Sequence, residues 1–151
     1  IRFLNKSSKT SFLITASNSD PGGYILNDIL KKIANSRENI LFVDNLGRND
    51  YLCAIRHCRY VLGNSSSALV EVPALDKISF NIGRRQDGRL LANTVINLEN
   101  NFIDDLESIF HKFKTTNQYK PYGGGGAVKR VLKIMEEFDF NKSSKKEFYD
   151  G

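Results

Sequence analysis

Short apolar runs alternate with segments of helical periodicity along most of the chain, and this alternation restricts the fold more than any other feature of the sequence. The runs have no regular polar positions, so each predicts a strand that is covered on both faces. We predict strands at residues 11–15, 39–45, 59–63, 78–82 and 93–98. Buried strands separated by helices are parallel, because each crossover helix returns the chain to the same starting edge. The pattern therefore predicts an α/β fold with a Rossmann-like, doubly wound parallel sheet.

The segments between and after these strands place apolar residues on one helical face. We predict helices at residues 24–35, 50–58, 66–75, 102–113 and 127–138, and we expect Asp50 to cap the second of them. The residues predicted to face the sheet are Ile25, Ile29, Leu30 and Ile33, then Leu52, Ile55 and Cys58, then Phe102, Leu106, Ile109, Phe110 and Phe113, and finally Val128, Val131, Leu132 and Met135.

Length and composition fit one domain with a substantial core, since 40% of the 151 residues are hydrophobic. We expect a lead-in at residues 1–10, the domain at residues 11–138 and a flexible basic tail at residues 139–151. No stretch has the about 18 to 20 apolar residues that cross a membrane and no signal segment opens the chain, which predicts a soluble, cytoplasmic protein without a membrane partner. The chain begins at Ile1 and not at Met, so we also expect a piece of a longer protein.

The distribution of charge and the spacing of the cysteines argue against a nucleic-acid-binding protein, a CxxC redox protein and a zinc protein. The net charge of +5 suits an anionic partner, but much of the excess lies in the tail and no aromatic RNA-binding motif is present, so we expect no nucleic acid. Cys53 and Cys58 fit neither a CxxC redox pair nor a zinc site, and we interpret them as small apolar residues in a reducing compartment. We predict no metal and no cofactor.

A run of serines, Ser65 to Ser67, separates the predicted strand at residues 59–63 from an apolar helical segment. Serine hydroxyls compete for nearby backbone groups, so the run suits a turn and not an element interior. Ligands bind beyond the carboxyl ends of parallel strands, and anions are favoured at the start of the next helix. The run could therefore hold a phosphate, or one serine could simply cap the helix. Neither a Walker A loop nor a GxGxxG fingerprint is present.

Two further groups of residues lie near the same predicted edge. Glu71 could accept hydrogen bonds from two ribose hydroxyls, or could be an ordinary surface carboxylate. The loop after the fourth strand contains Arg84, Arg85 and Arg89 together with two glycines that allow tight turns, which favours either an anion clamp or a solvated basic loop. Together the serine run and the arginine loop favour a ligand that carries phosphate.

Three segments together resemble one enzyme family: LGRNDYLCAIRHCRYVLGNSSSALVEVPAL, NIGRRQDGRLLANTVIN and YGGGGAVKRVLKIM. They resemble the C-terminal half of UDP-N-acetylglucosamine 2-epimerases, in particular those of the hydrolysing, sialic-acid-pathway type. That family has two Rossmann-like domains in the GT-B arrangement, with the substrate in the cleft between them. The resemblance implies that this chain is the second domain, that UDP or a UDP-N-acetylhexosamine binds to it, and that the N-terminal half of the enzyme is its partner.

The resemblance also implies roles for individual residues. It assigns Ser65, Ser66 and Ser67 to the UDP diphosphate, Glu71 to the ribose, Arg84, Arg85 and Arg89 to the sugar side, Leu46, Gly47 and Tyr51 to the uracil side, and Asn18 and Asp20 to the first loop. Non-hydrolysing relatives carry a histidine in that first loop, and this sequence has none there. Asp76 and Ile78 stand where relatives commonly have glycine and proline, which predicts an altered turn into the fourth strand.

The reaction implied for the family is loss of UDP from UDP-N-acetylglucosamine with removal of the C2 proton, followed by hydration to N-acetylmannosamine. Its catalytic carboxylates lie in the N-terminal domain, so this chain alone is expected to be inactive. Two other functions stay open. A GT-B glycosyltransferase would use the same grip on diphosphate and ribose and would need a sugar acceptor. A non-catalytic UDP-sugar-binding module would be encoded as this domain alone.

Overall fold

Parallel strand pairs organise the described part of the chain. A computed structural model describes residues 4, 10–17, 21–98, 108, 109, 111, 113, 119–123 and 125–139. Strands β1 (Phe12–Thr15) and β2 (Ile40–Val43) pair in parallel, with Phe12 opposite Ile40. The predicted lead-in and tail fall almost entirely outside the described residues.

The remaining described strands form a second parallel sheet in the order β3-β4-β5. These strands are β3 (Tyr60–Gly63), β4 (Ile78–Ile82) and β5 (Val95–Leu98). The central strand β4 is the most buried of them, with Phe80 fully enclosed and its ring packed edge-on against Tyr60 at a centroid distance of 5.0 Å. The predicted α/β class with parallel strands is thereby confirmed, and each predicted strand contains the observed one.

The prediction of one continuous sheet is not met in the described ranges, where hydrogen-bonded ladders link β1 only to β2 and β3 and β5 only to β4. Side-chain packing connects the two sheets instead. Phe12 of β1 packs against the buried cluster formed by Phe80 and Leu98. An apolar run in a sequence reports burial and not which strand edges pair, so its pattern could not reveal this division.

Helices follow most of the strands. They are α1 (Gly23–Asn35), α2 (Gly47–His57), a 3₁₀ turn (Ser66–Ala68) with the short α3 (Glu71–Ala74), and α4 (Ala127–Glu137). The predicted helix at residues 66–75 is thus divided, because the serines form their own turn and α3 is limited to a single turn that contains Pro73. No helix in the described ranges has the length and apolar character to cross a lipid bilayer.

The start of α2 differs from the prediction. The helix begins at Gly47, and Asp50 lies in its first turn instead of capping it. The N-cap position is Leu46, which makes no side-chain capping bond, and the Gly47 N–H donates to Oδ1 of Asn45 at 2.7 Å in an Asx turn before the helix. A carboxylate in the first turn still interacts favourably with the helix dipole.

The predicted core-facing residues divide into two groups. Ile55 of α2 is buried, Leu30, Ile33, Leu52 and Cys58 are half-buried, and Ile109 packs on the cluster of Phe80 and Leu98. The predictions for α1 and α4 are wrong where the side chains are exposed: Ile25, Ile29, Val128, Val131, Leu132 and Met135. A periodic apolar stripe is present on both helices, but the described part of the chain covers it only partly on α1, at Leu30 and Ile33, and leaves it exposed on α4. Phe102, Leu106 and Phe110 lie outside the described residues.

The two cysteines have different surroundings. Cys53 is exposed on α2, whereas Cys58 is half-buried and its thiol donates to the Ile55 carbonyl oxygen at 3.2 Å. Burial raises the pKa of the Cys58 thiol, and the nearby Lys77 charge opposes that shift only in part. The Cys58 thiol therefore holds its proton to higher pH than a solvated cysteine does.

We predict that iodoacetamide alkylates Cys53 before Cys58 at about pH 8, because the thiolate is the reacting form and burial disfavours it at Cys58. Labelling of Cys58 is expected to rise as the solution is made more alkaline. Mass spectrometry of digested protein measures both sites, with Cys53→Ser as the control that leaves only the slow site. Equal labelling rates at the two cysteines in folded protein would contradict the prediction.

The turn into β4 contains a residue in the left-handed backbone region. Asp76 has a φ of 60°, at the position where the resemblance implied glycine, and its carboxylate pairs with Lys120. Residues that carry a Cβ atom are strained in this region of φ, although Asp tolerates it better than most. The altered turn that the sequence predicts thus keeps the glycine-like conformation.

We predict that Asp76→Gly is more stable than Asp76→Ala by about 1 kcal/mol, because alanine is strained at a positive φ. Both substitutions remove the pair with Lys120, so their difference isolates the backbone effect. Urea denaturation of the two variants measures it. If Asp76→Ala were as stable as Asp76→Gly or more stable, the turn would have relaxed to another backbone conformation and the prediction would be wrong.

Candidate functional site

The serine run turns the chain at the carboxyl end of β3. Ser65 caps the 3₁₀ turn in an extended conformation, and its hydroxyl accepts a hydrogen bond from the Ser67 N–H at 3.3 Å. The Ala68 N–H donates to the Ser65 carbonyl oxygen at 3.1 Å. Ser65 is therefore a cap, as one of the two sequence interpretations held, and its neighbour Ser66 is exposed at the start of the turn.

A buried hydrogen bond fixes this turn to the sheet. The hydroxyl of Ser79, which lies on β4 and is fully buried, donates to the Ala68 carbonyl oxygen at 2.6 Å. Leu69 and Val72, which follow the turn, are also buried. The apolar underside of the segment thus packs inward while the serines remain at the sheet edge.

The arginine loop lies against the same edge. Gly83 and Gly88 have positive φ values of 74° and 78°, which glycine adopts without strain, and they lie on either side of residues 84–87. The Nε group of Arg84 donates to Asp87 at 2.7 Å, and this bond raises the pKa of the exposed Arg84 guanidinium. Arg84 is therefore engaged within its own loop.

The serine turn and the arginine loop together form a small pocket of about 110 Å³. Its lining residues are all polar or charged: Ser65, Ser66, Arg85, Gln86 and Arg89. Two permanent positive charges and two hydroxyls around a cavity of this size suit an anionic group such as a phosphate. The structure thus brings together two predicted loops, and adds Gln86, which sequence reasoning missed.

A second, larger pocket of about 350 Å³ lies where β1 and β2 end and α2 begins. Its lining includes the predicted Leu46, Gly47 and Tyr51. The residues that sequence reasoning missed are Thr15, Ala16, Ser17, Asp44 and Asn45. Position in the sequence is the signal that could have found them, since each lies at the end of β1 or β2 or within two residues after it.

Hydrogen bonds shape the walls of this second pocket. The Ser17 N–H donates to Oδ1 of Asn27 at 2.8 Å, and its hydroxyl donates to the Gly23 carbonyl oxygen at 3.1 Å. Asp44 pairs with Lys31 at 2.9 Å. The end of β1 is therefore tied to α1, and the charge of the Asp44 carboxylate is partly compensated.

One hydrogen bond connects the neighbourhoods of the two pockets. The phenol of Tyr51, which lines the second pocket, lies 2.7 Å from the hydroxyl of Ser67 in the serine turn. The bond joins α2, which follows the sheet of β1 and β2, to the turn that follows β3. A ligand with an anionic end and a larger polar or aromatic end could span both pockets.

Sequence comparison identifies the family of this chain. A family description, UDP-N-acetylglucosamine 2-epimerase, matches residues 1–136. The chain belongs to the UDP-N-acetylglucosamine 2-epimerase family. Among the described residues of this family member, no three His, Cys, Asp or Glu side chains are grouped in a way that could hold a metal ion.

Three curated relatives of this family member illustrate the similarity. The GDP/UDP-N,N'-diacetylbacillosamine 2-epimerase (hydrolyzing) of Campylobacter jejuni is 35% identical over 76% of this chain and 29% of the relative. The polysialic acid biosynthesis protein P7 of Escherichia coli is 31% identical over 92% of this chain and 37% of the relative. The UDP-N,N'-diacetylbacillosamine 2-epimerase (hydrolyzing) of Legionella pneumophila is 23% identical over 79% and 32%. The chain thus spans about a third of the length of these relatives.

Three other predicted site residues that the structure describes, Ser67, Glu71 and Arg84, are not part of the two pocket linings. Glu71 is exposed at the start of α3, and Ser67 contributes the hydroxyl that contacts Tyr51. Arg84 is held by Asp87. Asn18 and Asp20 lie outside the described residues, so their predicted contacts remain predictions.

We predict that Tyr51→Phe and Ser67→Ala destabilise the folded chain non-additively, with a coupling free energy of about 0.5–1.5 kcal/mol, because each removes the same hydrogen bond. Urea denaturation of the two single variants and the double variant gives the coupling. Tyr24→Phe is the matched control, since Tyr24 is 72% exposed. Strictly additive effects of Tyr51→Phe and Ser67→Ala would show that the two hydroxyls do not interact in solution.

Proposed function

We propose that this chain is the C-terminal, nucleotide-binding part of a hydrolysing 2-epimerase of GT-B architecture, and that it holds the diphosphate of a UDP-linked N-acetylhexosamine. The observation that carries the proposal is the pocket whose entire described lining is Ser65, Ser66, Arg85, Gln86 and Arg89. Such a lining offers hydrogen-bond donors and positive charge without an opposing carboxylate. Membership of the epimerase family favours a nucleotide sugar as the source of the phosphate groups that would bind in this pocket.

The arginines carry most of the electrostatic attraction in this proposal. A guanidinium stays charged at every accessible pH and matches the geometry of phosphate oxygens with paired N–H donors. Ser65 and Ser66 add hydroxyl and backbone donors beside them. Ser67 would act less directly, because its hydroxyl is already within hydrogen-bond distance of Tyr51.

The nucleoside would occupy the second pocket. Leu46 and Gly47 line it, and Tyr51 adds an aromatic ring. Glu71 is proposed to accept hydrogen bonds from the ribose hydroxyls, for which its exposed position at the start of α3 leaves room. A carboxylate that accepts from two hydroxyls favours a nucleotide over inorganic diphosphate.

The reaction of the whole enzyme is proposed to be loss of UDP with removal of the C2 proton of the sugar, followed by addition of water. The base and acid for these steps are expected in the N-terminal half, which is the proposed partner of this chain. The relatives from Campylobacter and Legionella are named for diacetylbacillosamine, so the substrate class proposed is UDP-linked acetamido sugars, with UDP-N-acetylglucosamine as one member.

Calorimetric titration of the chain with UDP tests the proposal. Arg85→Ala and Arg89→Ala are each expected to weaken UDP binding about ten-fold, because each removes charge-assisted hydrogen bonds. Arg56→Ala is the matched control, since it removes one exposed positive charge from α2 away from both pocket linings.

A second titration separates the diphosphate from the ribose. Glu71→Ala is expected to weaken binding of UDP but not of inorganic pyrophosphate, because only the nucleotide carries ribose hydroxyls. Absence of UDP binding to folded protein at millimolar ligand, or equal weakening by Arg56→Ala, would refute the proposed diphosphate site. GDP serves as the comparison ligand for the nucleobase.

A further inference from the structure

We propose that Gln86 is a positioning residue that holds the two walls of the anion pocket at a fixed separation. The inference rests on the proposed function for the identity of the ligand. Gln86 is 5% exposed, while its neighbours Arg85 and Asp87 in the same loop are exposed. A buried amide in an otherwise solvated loop costs free energy unless its polar atoms are bonded, so its burial indicates a specific contact.

That contact crosses from one wall of the pocket to the other. The side-chain Nε2 of Gln86 donates to the carbonyl oxygen of Asn64 at 2.7 Å. Asn64 directly precedes Ser65, the cap of the serine turn, and Gln86 lies between Arg85 and Arg89. A single hydrogen bond therefore sets the distance between the serine hydroxyls and the guanidinium groups.

The same residue also organises its own loop. The Arg89 N–H donates to the Gln86 carbonyl oxygen at 3.3 Å, and the Asp87 N–H donates to the Arg84 carbonyl oxygen at 3.1 Å. Because Arg89 is anchored through the backbone of Gln86, a shift of the buried amide would carry the Arg89 guanidinium with it. The loop has no other buried side chain between Arg84 and Arg89.

The amide orientation excludes a direct role for its oxygen in binding phosphate. Only the nitrogen end of the amide can face the Asn64 carbonyl, which directs Oε1 away from it. Oε1 is buried and has no hydrogen-bond partner in the described part of the chain. A phosphate oxygen is also an acceptor and cannot bond to Oε1. The nitrogen end is directed at Asn64 through one of its two N–H groups, and the proposed role of Gln86 is carried by that bond and by the arginine loop.

Two substitutions of similar size separate the hydrogen bond from packing. Gln86→Met keeps the length of the side chain but has no donor, and we expect it to weaken UDP binding about ten-fold at every pH. Gln86→Glu places a carboxylate against the Asn64 carbonyl, so it is expected to bind UDP weakly at about pH 8. The protonated carboxyl regains an O–H donor, so its affinity relative to the original chain is expected to recover towards about pH 5.

Thr94→Val is the matched control, because Thr94 is a buried polar residue that directly precedes β5 and lies outside both pocket linings. Each affinity is expressed as a ratio to that of the unsubstituted chain at the same pH, which cancels the titration of the UDP phosphate. Recovery of Gln86→Glu at low pH without recovery of Gln86→Met is the expected result. Full UDP affinity in folded Gln86→Met would overturn the inference.

A ligand-free measurement keeps this test independent of the proposed function. Hydrogen exchange of the Ser67 and Arg89 amides is expected to accelerate together in Gln86→Met and to stay unchanged in Thr94→Val, since one bond links the two loops. Failure of the original chain to bind UDP would refute the ligand but leave this result standing. Unchanged exchange at both amides in Gln86→Met would refute the positioning role by itself.

Discussion

The hydrogen bond from the Ser79 hydroxyl to the Ala68 carbonyl is the contact on which the arrangement of the site depends. It joins the central strand β4 to the turn that carries the serines, and it is completely shielded from water. The burial of Leu69 and Val72 beside it contributes about 1.5–3 kcal/mol for each side chain. Because the underside of the turn is held in this way, its polar side can remain open at the sheet edge. The arginine loop, which follows the same strand, then reaches the serine turn without a long connection.

The sequence predicted the parts of the structure that depend on local pattern. Strand positions followed from unalternated apolar runs, and the two loops of the anion pocket followed from their place after β3 and β4. Gln86 was missed because its side chain is polar and its burial depends on a carbonyl that lies 22 positions away in the sequence. The exposed stripe on α4 was assigned to the sheet because periodicity shows that a face is apolar but not what covers it. Asp50 does not cap α2, because the helix begins three residues earlier at Gly47 and the Asx turn of Asn45 precedes it.

We propose that the diphosphate binds in the small pocket and the nucleoside in the larger one. The two sheets that border these pockets differ in how well they are buried. The sheet of β3, β4 and β5 contains the enclosed Phe80 and supports the small pocket of fixed charges. The sheet of β1 and β2 is more open, with Leu13 and Leu41 exposed, and it borders the larger pocket. In the proposed function, the small charged pocket would hold the anionic end of the ligand and the larger pocket would hold the other end.

The contact between the Tyr51 and Ser67 hydroxyls also restricts how such a site can diverge during evolution. Any substitution that moves α2 to reshape the second pocket would also disturb the serine turn, because the two hydroxyls lie within 2.7 Å of each other. Residues such as Thr15 and Asn45 line that pocket without this second contact. Changes in what the larger pocket accepts should therefore accumulate at those positions first, while the pair of hydroxyls changes only together or not at all.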